Sequence, residues 1–162
     1  MCQYRECASI VLFNDEGKVL LCARADQSDL AWQFPQGGIE QNEQPMVAAL
    51  RELKEETSVS SAQIILALNE PICYDFPKSV CDFLASKGRH YKGQRMHFFL
   101  AHFIGDDSEI NLATSWPEFK AYKWANIRQA PKAIVSFKRA TYRKVCRAFE
   151  PYIKAYINQA DE

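Results

Sequence analysis

The segment of residues 37–59 constrains the fold more than any other part of the chain. Pro45 is tolerated in a first helical turn, and the apolar spacing that follows predicts a helix over residues 45–57. One stripe along this helix is apolar: Met46, Ala49, Leu50 and Leu53. A second stripe, at positions i, i+3 and i+4, is acidic: Glu52, Glu55 and Glu56. The centres of the stripes lie roughly 130° apart, so we expect the helix to bury one side and hold the carboxylates out on another.

The acidic stripe has two interpretations. In the first it is a solvated face built from good helix formers and eased by Arg51 and Lys54. In the second it is a site for a hard cation, because Mg²⁺ prefers oxygen ligands and needs only a few carboxylates together with substrate phosphates. Gly37 and Gly38 lie just upstream, where backbone without side chains can approach the same place and add a carbonyl ligand. The carboxylates, the glycine pair and the nearby arginine together favour the metal site.

The same segment fits a long motif, G-x5-E-x7-R-E-U-x-E-E-x-G-U with U aliphatic, which is the Nudix box. The matching residues are Gly37, Glu43, Arg51, Glu52, Leu53, Glu55, Glu56 and Val59. The chain therefore resembles the Nudix hydrolases. One position differs from the motif: residue 58 is serine, whereas the family has glycine there. That glycine is expected to end the helix in a left-handed conformation, where serine should cost on the order of 1 kcal/mol.

The resemblance covers residues 4–152 and narrows to one subgroup, the bacterial RNA pyrophosphohydrolases and plant-type diadenosine tetraphosphate hydrolases. The matching stretches are WQFPQGG at 32–38, YDFP at 74–77, YKGQ at 91–94, EIN at 109–111, PEF at 117–119 and VSFKR at 135–139. The resemblance implies an α/β fold, with a mixed α+β sheet in a Nudix-type α/β/α sandwich, as one domain over residues 1–162. It also implies cleavage of a phosphoanhydride with Mg²⁺ or Mn²⁺, and more than one ion when substrate is bound.

The resemblance assigns catalytic roles to residues of the box and to one loop. It gives as metal ligands the carboxylates of Glu52, Glu55 and Glu56, with the Gly37 carbonyl. Glu55 or Glu56 would orient or deprotonate the attacking water. Arg51 would hold the carboxylates through charge-assisted hydrogen bonds. Glu118 would join the metal site or assist as base, and otherwise is a surface residue after Pro117.

Substrate binding needs cations for phosphates and a flat surface for a base. In the subgroup, the pair Phe137 and Lys138 would stack on a base and hold a phosphate. Phe137 could equally belong to the core. The further residues that match substrate-binding positions are Tyr74, as the opposite ring or a phosphate contact, Arg5 and Arg24 for phosphates, and Gln94. Residues 96–97, Met-His, depart from the subgroup at a contact position.

Three functions are compatible with these residues. The first is removal of pyrophosphate from the 5′ end of triphosphorylated RNA, and the second is hydrolysis of dinucleoside polyphosphates. The third is a Nudix module that binds a nucleotide without catalysis. Such a module should lack one or more box carboxylates, whereas Arg51, Glu52, Glu55 and Glu56 are all present. The sequence thus favours an enzyme, with the RNA 5′ end as its first expected substrate and dinucleoside polyphosphates as the alternative, although it does not separate the two well.

Composition and charge exclude several classes of protein and favour one cellular compartment. Lys plus Arg and Asp plus Glu each total 20, so the net charge is zero and a general polyanion-coating protein is excluded. Even so, residues 127–149 hold seven cations and no acid. No apolar run approaches the roughly 18 residues of a membrane span, and the N-terminus does not resemble a secretory signal. The six cysteines are scattered, which indicates reduced thiols and a cytoplasmic protein, whose oligomeric state remains open.

Beyond the helix at 45–57, the pattern predicts a hairpin, four further strands and a second helix. The hairpin strands are residues 5–13 and 18–24, joined through Asn14 to Gly17. Short strands are expected at 32–34, 62–68, 95–104 and 119–124, and a helix at 134–149. The connection over residues 77–93 is expected to hold one helical turn near residues 80–84.

Overall fold

A computed structural model describes residues 3–26 and 31–160 of the chain. Its strands are β1 (Gln3–Phe13), β2 (Val19–Arg24), β3 (Trp32–Gln33), β4 (Gln36–Gly38), β5 (Ala62–Ala67), β6 (Ile72–Asp75), β7 (Tyr91–Phe103) and β8 (Phe119–Ala125). Its α-helices are α1 (Pro45–Thr57), α2 (Lys78–Ser86), α3 (Ala130–Ala133) and α4 (Arg139–Ala160). The predicted hairpin and the helix at 45–57 are confirmed.

Strand β1 lies at the centre of a mixed sheet. It pairs in parallel with β7 along its whole length, a pairing that needs a crossover connection, and α1 lies within that connection. The middle of β1, residues 7–9, also pairs antiparallel with β4, and its last residue, Phe13, pairs with Val19 of β2. Strands β5 and β6 pair antiparallel with β7, and β2 pairs with β3 and β8. Residues 36–38 are thereby held against β1, close to Arg5.

Helices cover both faces of β1, so its side chains are buried on both sides. Alternate residues point into the core that α4 covers: Cys7, Val11 and Phe13. The intervening residues point into the core that α1 covers: Ala8, Ile10 and Leu12. A continuous apolar run is what a strand needs when it is covered on both faces. The predicted α/β/α sandwich with a mixed sheet is confirmed.

The C-terminal helix differs from the prediction for residues 134–149. Residues 136–138 form a 3-10 turn, and α4 begins at Arg139 and continues through Pro151 to Ala160. A proline inside a helix removes one backbone hydrogen bond. Pro151 lies on the exposed side, while Ile153 and Tyr156 behind it still pack against the core. Burial of this apolar stripe keeps the helix intact beyond the proline.

The connection before β7 contains more regular structure than predicted. Helix α2 has nine residues rather than one turn, and β7 begins at Tyr91 rather than near residue 95. Strand β6 was not predicted, because its four residues show no clear alternation of apolar and polar side chains. Residues 36–38, which follow the strand predicted at 32–34, pair with β1 as the short strand β4.

The cysteines of the described chain are reduced, as the sequence predicts. Cys7, Cys22 and Cys146 are buried, and every cysteine between residues 3 and 160 of the described chain is a free thiol. Cys2 lies outside the described residues. Over residues 3–26 and 31–160, no helix has the length and apolar character needed to cross a bilayer.

Candidate active site

The three carboxylates of α1 differ sharply in exposure. Glu56 is 3% exposed, whereas the side chain of Glu55 is 57% exposed and that of Glu52 is 16% exposed. The reason is helical geometry, because Glu56 follows Ala49 by seven residues and therefore lies within about 20° of it around the helix. Glu56 is turned into the protein, and the prediction of three carboxylates on one outward face is wrong for this residue.

The apolar stripe predicted on α1 is also rotated. Met46 is exposed, whereas Ala48 is buried together with Ala49 and Leu53. The buried side of the helix is therefore centred closer to Glu56 than the sequence pattern indicated.

The Glu56 carboxylate is buried with little compensation, because burial outweighs the favourable influence of the Gln36 backbone. Neither of its oxygens has a hydrogen-bond partner among the described residues. Burial raises the pKa of Glu56 well above its ordinary value, and the negative charges of Glu52 and Glu118 raise it further. As ionised groups Glu52 and Glu56 can only accept hydrogen bonds, so their proximity is favourable only with a shared proton or an added cation.

Gly37 makes room for the Glu52 carboxylate. A β-carbon placed on Gly37 would lie 2.0 Å from Cδ of Glu52 and 2.3 Å from each of its oxygens. These separations are far below van der Waals contact, so the carboxylate occupies the space that any other side chain would need. The backbone of β4 thus lies directly against one of the carboxylates of α1, as the metal interpretation of the glycine pair requires.

Arg51 connects strand β4, at Gly38, to the acidic residues of α1. Its Nη1 donates to Oε1 of Glu52 at 2.8 Å and to Oε2 of Glu55 at 3.2 Å. Its Nη2 donates to the carbonyl oxygen of Gly38 at 2.9 Å. The guanidinium thereby fixes the orientation of two carboxylates of α1 relative to β4, which is the arrangement expected from the resemblance.

Glu43 anchors the other side of the same guanidinium. Arg51 donates from Nε and Nη2 to the two carboxylate oxygens of Glu43, at 2.8 and 2.9 Å. The Arg51 hydrogen bonds lower the pKa of Glu43 to about 2. The motif contained Glu43, but its partner lies eight residues away across the loop, and sequence spacing did not reveal the contact.

Glu118 approaches the acidic pair from a different part of the chain. It is an exposed residue immediately before β8, and its backbone oxygen accepts from the Ala25 amide at 2.8 Å. Its charge raises the pKa values of both Glu56 and Arg24. A cavity of about 320 Å³ is lined by Arg24, Ala25, Asp26, Pro117 and Glu118.

These groups fit a hard divalent cation. Glu56 offers two buried oxygens that lack partners, and Glu52 brings a second carboxylate against the backbone at Gly37. Oxygen donors of this kind suit Mg²⁺, which keeps several waters and does not need a complete protein cage. Within residues 3–26 and 31–160, however, no three His, Cys, Asp or Glu side chains converge as a metal-binding group, so the predicted ligands Glu52, Glu55, Glu56 and Glu118 are not assembled as one cluster. Glu55 points away from the pair, toward Arg51 and solvent.

The predicted base-binding residues form an aromatic cluster. The Tyr74 ring lies 5.9 Å from Phe137 and 5.9 Å from Phe76, measured between centroids. Phe137 is half-buried against the core that α4 covers, so both its predicted roles, core packing and base stacking, stay open. The Tyr74 hydroxyl and Oε1 of Gln94 are hydrogen-bonded, and both residues are buried. Tyr74 is therefore not freely exposed to a phosphate in this structure.

Lys138 is buried to an unusual degree for a lysine. It is 8% exposed, and its Nζ lies 5.8 Å from the centroid of the Tyr74 ring. Burial, followed by the charge of Arg24, lowers the pKa of Lys138 to about 8. No acidic side chain within residues 3–26 and 31–160 forms an ion pair with Lys138, and a buried ammonium of this kind gains strongly from an anion, which is consistent with the predicted phosphate contact.

The two predicted arginines line different cavities. Arg5 lies in β1 and borders a cavity of about 540 Å³ together with Gly38, Arg51 and Glu52. Arg24, at the end of β2, forms a bidentate pair with Asp26, with Nε–Oδ1 and Nη2–Oδ2 distances of 2.9 and 2.8 Å. Arg5 is therefore beside the acidic residues, whereas Arg24 faces Glu118 and already has an anionic partner.

Ser58 adopts the left-handed conformation expected from the motif, with φ 70° and ψ 3°. Its amide donates to the Lys54 carbonyl at 2.8 Å and ends α1. The Ser58 hydroxyl donates to the carbonyl oxygen of Asn111 at 2.8 Å, a contact that the sequence did not predict. The Asn111 amide in turn donates to the Thr57 carbonyl, so the 109–113 segment is tied to the end of the helix.

With the geometry established, comparison with known proteins identifies the class. Residues 3–145 match the NUDIX domain model, and the chain belongs to this family. Members of the family are hydrolases of phosphoanhydrides that generally need divalent metal ions. The oxygen-rich site at Glu52, Glu56 and Gly37 is consistent with that requirement.

Curated relatives and solved structures extend the comparison. The chain is 43% identical over 154 residues to the RNA pyrophosphohydrolase of Sphingopyxis alaskensis, covering 93% of this chain and 95% of that protein. It is 43% identical over 155 residues to the RNA pyrophosphohydrolase of Erythrobacter litoralis, covering 93% of each. The fold is similar to that of E. coli dihydroneopterin triphosphate pyrophosphohydrolase, with TM-score 0.64, 19% identity and coverage of 88% and 96%. A C. elegans Ap4A hydrolase aligns with TM-score 0.60, 19% identity and coverage of 88% and 97%.

Proposed function

We propose that this protein is an RNA pyrophosphohydrolase, which cleaves the 5′-triphosphate of RNA with water to leave a 5′-monophosphate and release pyrophosphate. The observation that carries catalysis is the buried, unpartnered Glu56 carboxylate beside Glu52 and Gly37. The substrate is supported by relatives of this name that are about 40% identical over nearly the whole chain. We also propose that residues 1–162 form one catalytic domain and that the protein acts in the cytoplasm.

Glu52 and Glu56, with the Gly37 backbone, are the groups that would hold the cation, and Mg²⁺ suits their oxygen donors. When bound, divalent ions neutralise the negative charge that develops on the phosphate oxygens as the anhydride bond breaks. Arg51 keeps Glu52 and Glu55 in position through its hydrogen bonds. The candidates to orient the attacking water or accept its proton are two exposed carboxylates: Glu118, whose charge acts on Glu56, and Glu55, which Arg51 holds on the solvent side of α1.

The remaining predicted residues serve the nucleotide. Arg5 borders the cavity beside Glu52 and can pair with phosphate oxygens. Lys138 can hold a phosphate next to the Tyr74 ring, and Phe137 offers the face for the terminal base. Gln94 positions Tyr74 through its hydrogen bond.

Hydrolysis of dinucleoside polyphosphates is the alternative within the same chemistry. The C. elegans Ap4A hydrolase supports it only through similarity of fold, since the identity is 19%. The relatives named RNA pyrophosphohydrolase are more than twice as similar, so RNA is preferred.

The test compares kcat/KM on a short 5′-triphosphorylated RNA and on diadenosine tetraphosphate, with Mg²⁺ and with a chelator. We expect Mg²⁺-dependent release of pyrophosphate and a preference for RNA. The matched control is Glu52→Gln, which keeps the shape of the side chain and should abolish turnover on both substrates. Preference for the dinucleotide would establish the alternative, and turnover that survives Glu52→Gln would reject the site.

A further inference from the structure

The exposed side of α4 carries a line of positive charge. Arg139, Arg143 and Arg147 are spaced four residues apart along the helix, with Lys144 beside them, and all four residues are exposed. The opposite side of the helix is buried through Tyr142, Val145, Cys146, Phe149 and Ile153. We refer to Arg139, Arg143, Lys144 and Arg147 as the basic line.

The basic line has no internal counter-charge. Within residues 3–26 and 31–160, no ion pair, hydrogen bond or ring contact joins any of its four side chains to another residue. Two other cations, Arg128 and Lys154, do have an acidic partner. Both form ion pairs with Glu150, at 2.9 and 3.3 Å. Segment 127–149 contains no acidic residue, so the surplus charge is local in a chain whose net charge is zero.

The basic line begins at the active-site end of the molecule. Arg139 directly follows Lys138, whose Nζ lies over Tyr74 and whose pKa responds to Arg24. At its other end α4 lies near the β1–β2 turn, since a β-carbon on Gly17 would meet Ile157 and Ile153. The basic line therefore starts beside the aromatic cluster of Tyr74 and Phe137 and runs along α4 toward the β1–β2 turn.

We propose that the basic line binds the phosphate backbone of single-stranded RNA on the 3′ side of the nucleotide held in the active site. This inference rests on the proposed function, because it concerns the remainder of the same RNA substrate. From Arg139 to Arg147 the helix rises about 12 Å, enough for a few phosphates at roughly 3.4 Å per nucleotide of stacked strand. Unpaired arginines suit phosphate contacts, which position a nucleic acid without reading its sequence.

The complementarity is electrostatic, so it predicts a specific dependence on salt. Each phosphate contact with a single strand adds about 0.7 to the slope of log affinity against log salt concentration. Three such contacts correspond to a slope of about 2, or an about 20-fold loss of affinity between about 50 and about 200 mM salt.

The test measures binding of a 5′-hydroxyl oligoribonucleotide of about ten nucleotides, a length within known single-strand site sizes. This probe has no triphosphate, so binding is measured apart from catalysis. The variant R143Q/K144Q/R147Q leaves Arg139 and Lys138 intact, and K18Q/K54Q/K78Q is the control with the same loss of charge on other exposed positions. We expect R143Q/K144Q/R147Q to bind the oligoribonucleotide at least tenfold more weakly at low salt. The slope of log affinity against log salt concentration should fall by about 2 in this variant, and both quantities should change far less in the control.

Kinetics separate this inference from the proposed function. Wild type should prefer a triphosphorylated RNA of about ten nucleotides over a triphosphorylated dinucleotide, and R143Q/K144Q/R147Q should lose that preference while retaining turnover of the dinucleotide. Equal binding by wild type and this variant, or equal losses in both triple variants, would overturn the basic line as an RNA site. If no triphosphorylated RNA is cleaved while the oligoribonucleotide binding still depends on the line, the proposed function fails and the binding surface stands.

Discussion

Arg51 and Glu43 form a two-point ion pair in which Nε and Nη2 of the guanidinium each donate to a different carboxylate oxygen, at 2.8 and 2.9 Å. The same guanidinium reaches Glu52 through Nη1. Glu43 therefore acts through Arg51 on the carboxylates of α1, which makes it a positioning residue for the proposed catalytic site and places it before the helix.

We expect Glu43→Gln to lower kcat about tenfold, because a loosened Arg51 no longer fixes Glu52. It should also lower the Tm by a few degrees. The control is Glu40→Gln. Glu40 is exposed, and its carboxylate comes no closer than 3.9 Å to the Arg51 guanidinium, so its ion pair with Arg51 is much weaker. Wild-type kcat in Glu43→Gln would show that Arg51 is held sufficiently by its other partners.

The pH dependence of this pair has a defined sign. The folded-state pKa of Glu43 is about 2, below its ordinary value of 4.5, so the stabilisation is present above pH 4.5 and is lost as the pH falls toward 2. The Tm difference between wild type and Glu43→Gln should thus be constant at neutral pH and shrink in acid. A difference that grows in acid would contradict the ion pair.

Glu56→Gln should separate stability from catalysis. The pKa of Glu56 is raised in the folded protein, so without a cation its contribution to stability falls as the pH rises above the ordinary glutamate value of 4.5. In chelator at neutral pH, Glu56→Gln should therefore have a higher Tm than wild type, yet kcat should fall by orders of magnitude. Mg²⁺ should raise the Tm of wild type more than that of the variant. Glu55→Gln is the control, because its exposed carboxylate should leave the metal-free Tm unchanged.

The contrast between Glu55 and Glu56 shows how far sequence reasoning reaches. The box identified the helix and its carboxylates, since helical period and residue type are local properties. Which carboxylate is buried depends on where the sheet lies relative to the helix, and Met46, which the pattern placed on the buried stripe, is exposed. The Arg51 contact with Glu43 and the Ser58 contact with Asn111 likewise depend on how loops pack, which a linear pattern does not contain.

Ser58 allows two opposing contributions to be measured. Ser58→Gly relieves the left-handed backbone, worth on the order of 1 kcal/mol, but removes the hydrogen bond to Asn111, worth about 0.5–1.5 kcal/mol. The sequence alone predicted net stabilisation, and with the hydrogen bond we expect a net change within about 0.5 kcal/mol. Ser58→Ala is the matched variant, because it loses the hydrogen bond and keeps the strain. Chemical denaturation should place Ala about 1 kcal/mol below Gly, and equal stabilities would mean that the backbone is not strained there.

Phe137→Ala tests the aromatic cluster. Stacking is worth about 1–3 kcal/mol per base, so kcat/KM should fall roughly tenfold to a hundredfold on triphosphorylated RNA and on diadenosine tetraphosphate. A base-free polyphosphate offers no ring and should be affected much less. Phe83→Ala, in an exposed ring of α2, is the control. Equal losses on all three substrates would mean that Phe137 serves the core beside Tyr74 and Phe76, and that its removal loosens the fold.

Lys138→Met should stabilise the free protein and impair the enzyme. The pKa of buried Lys138 is about 8 in the folded protein and 10.5 for an ordinary lysine, so below pH 8 its charge opposes folding by on the order of 3 kcal/mol. That cost disappears as the pH rises from 8 to 10.5. The gain in unfolding free energy of Lys138→Met should therefore be largest at pH 7 and shrink toward pH 10, whereas exposed Lys18→Met should show neither effect. Because Lys138 holds a phosphate in the proposed complex, kcat/KM should fall at least tenfold on nucleotide and base-free substrates alike. A stabilised variant with undiminished kcat/KM would mean that the ammonium does not meet the phosphate chain.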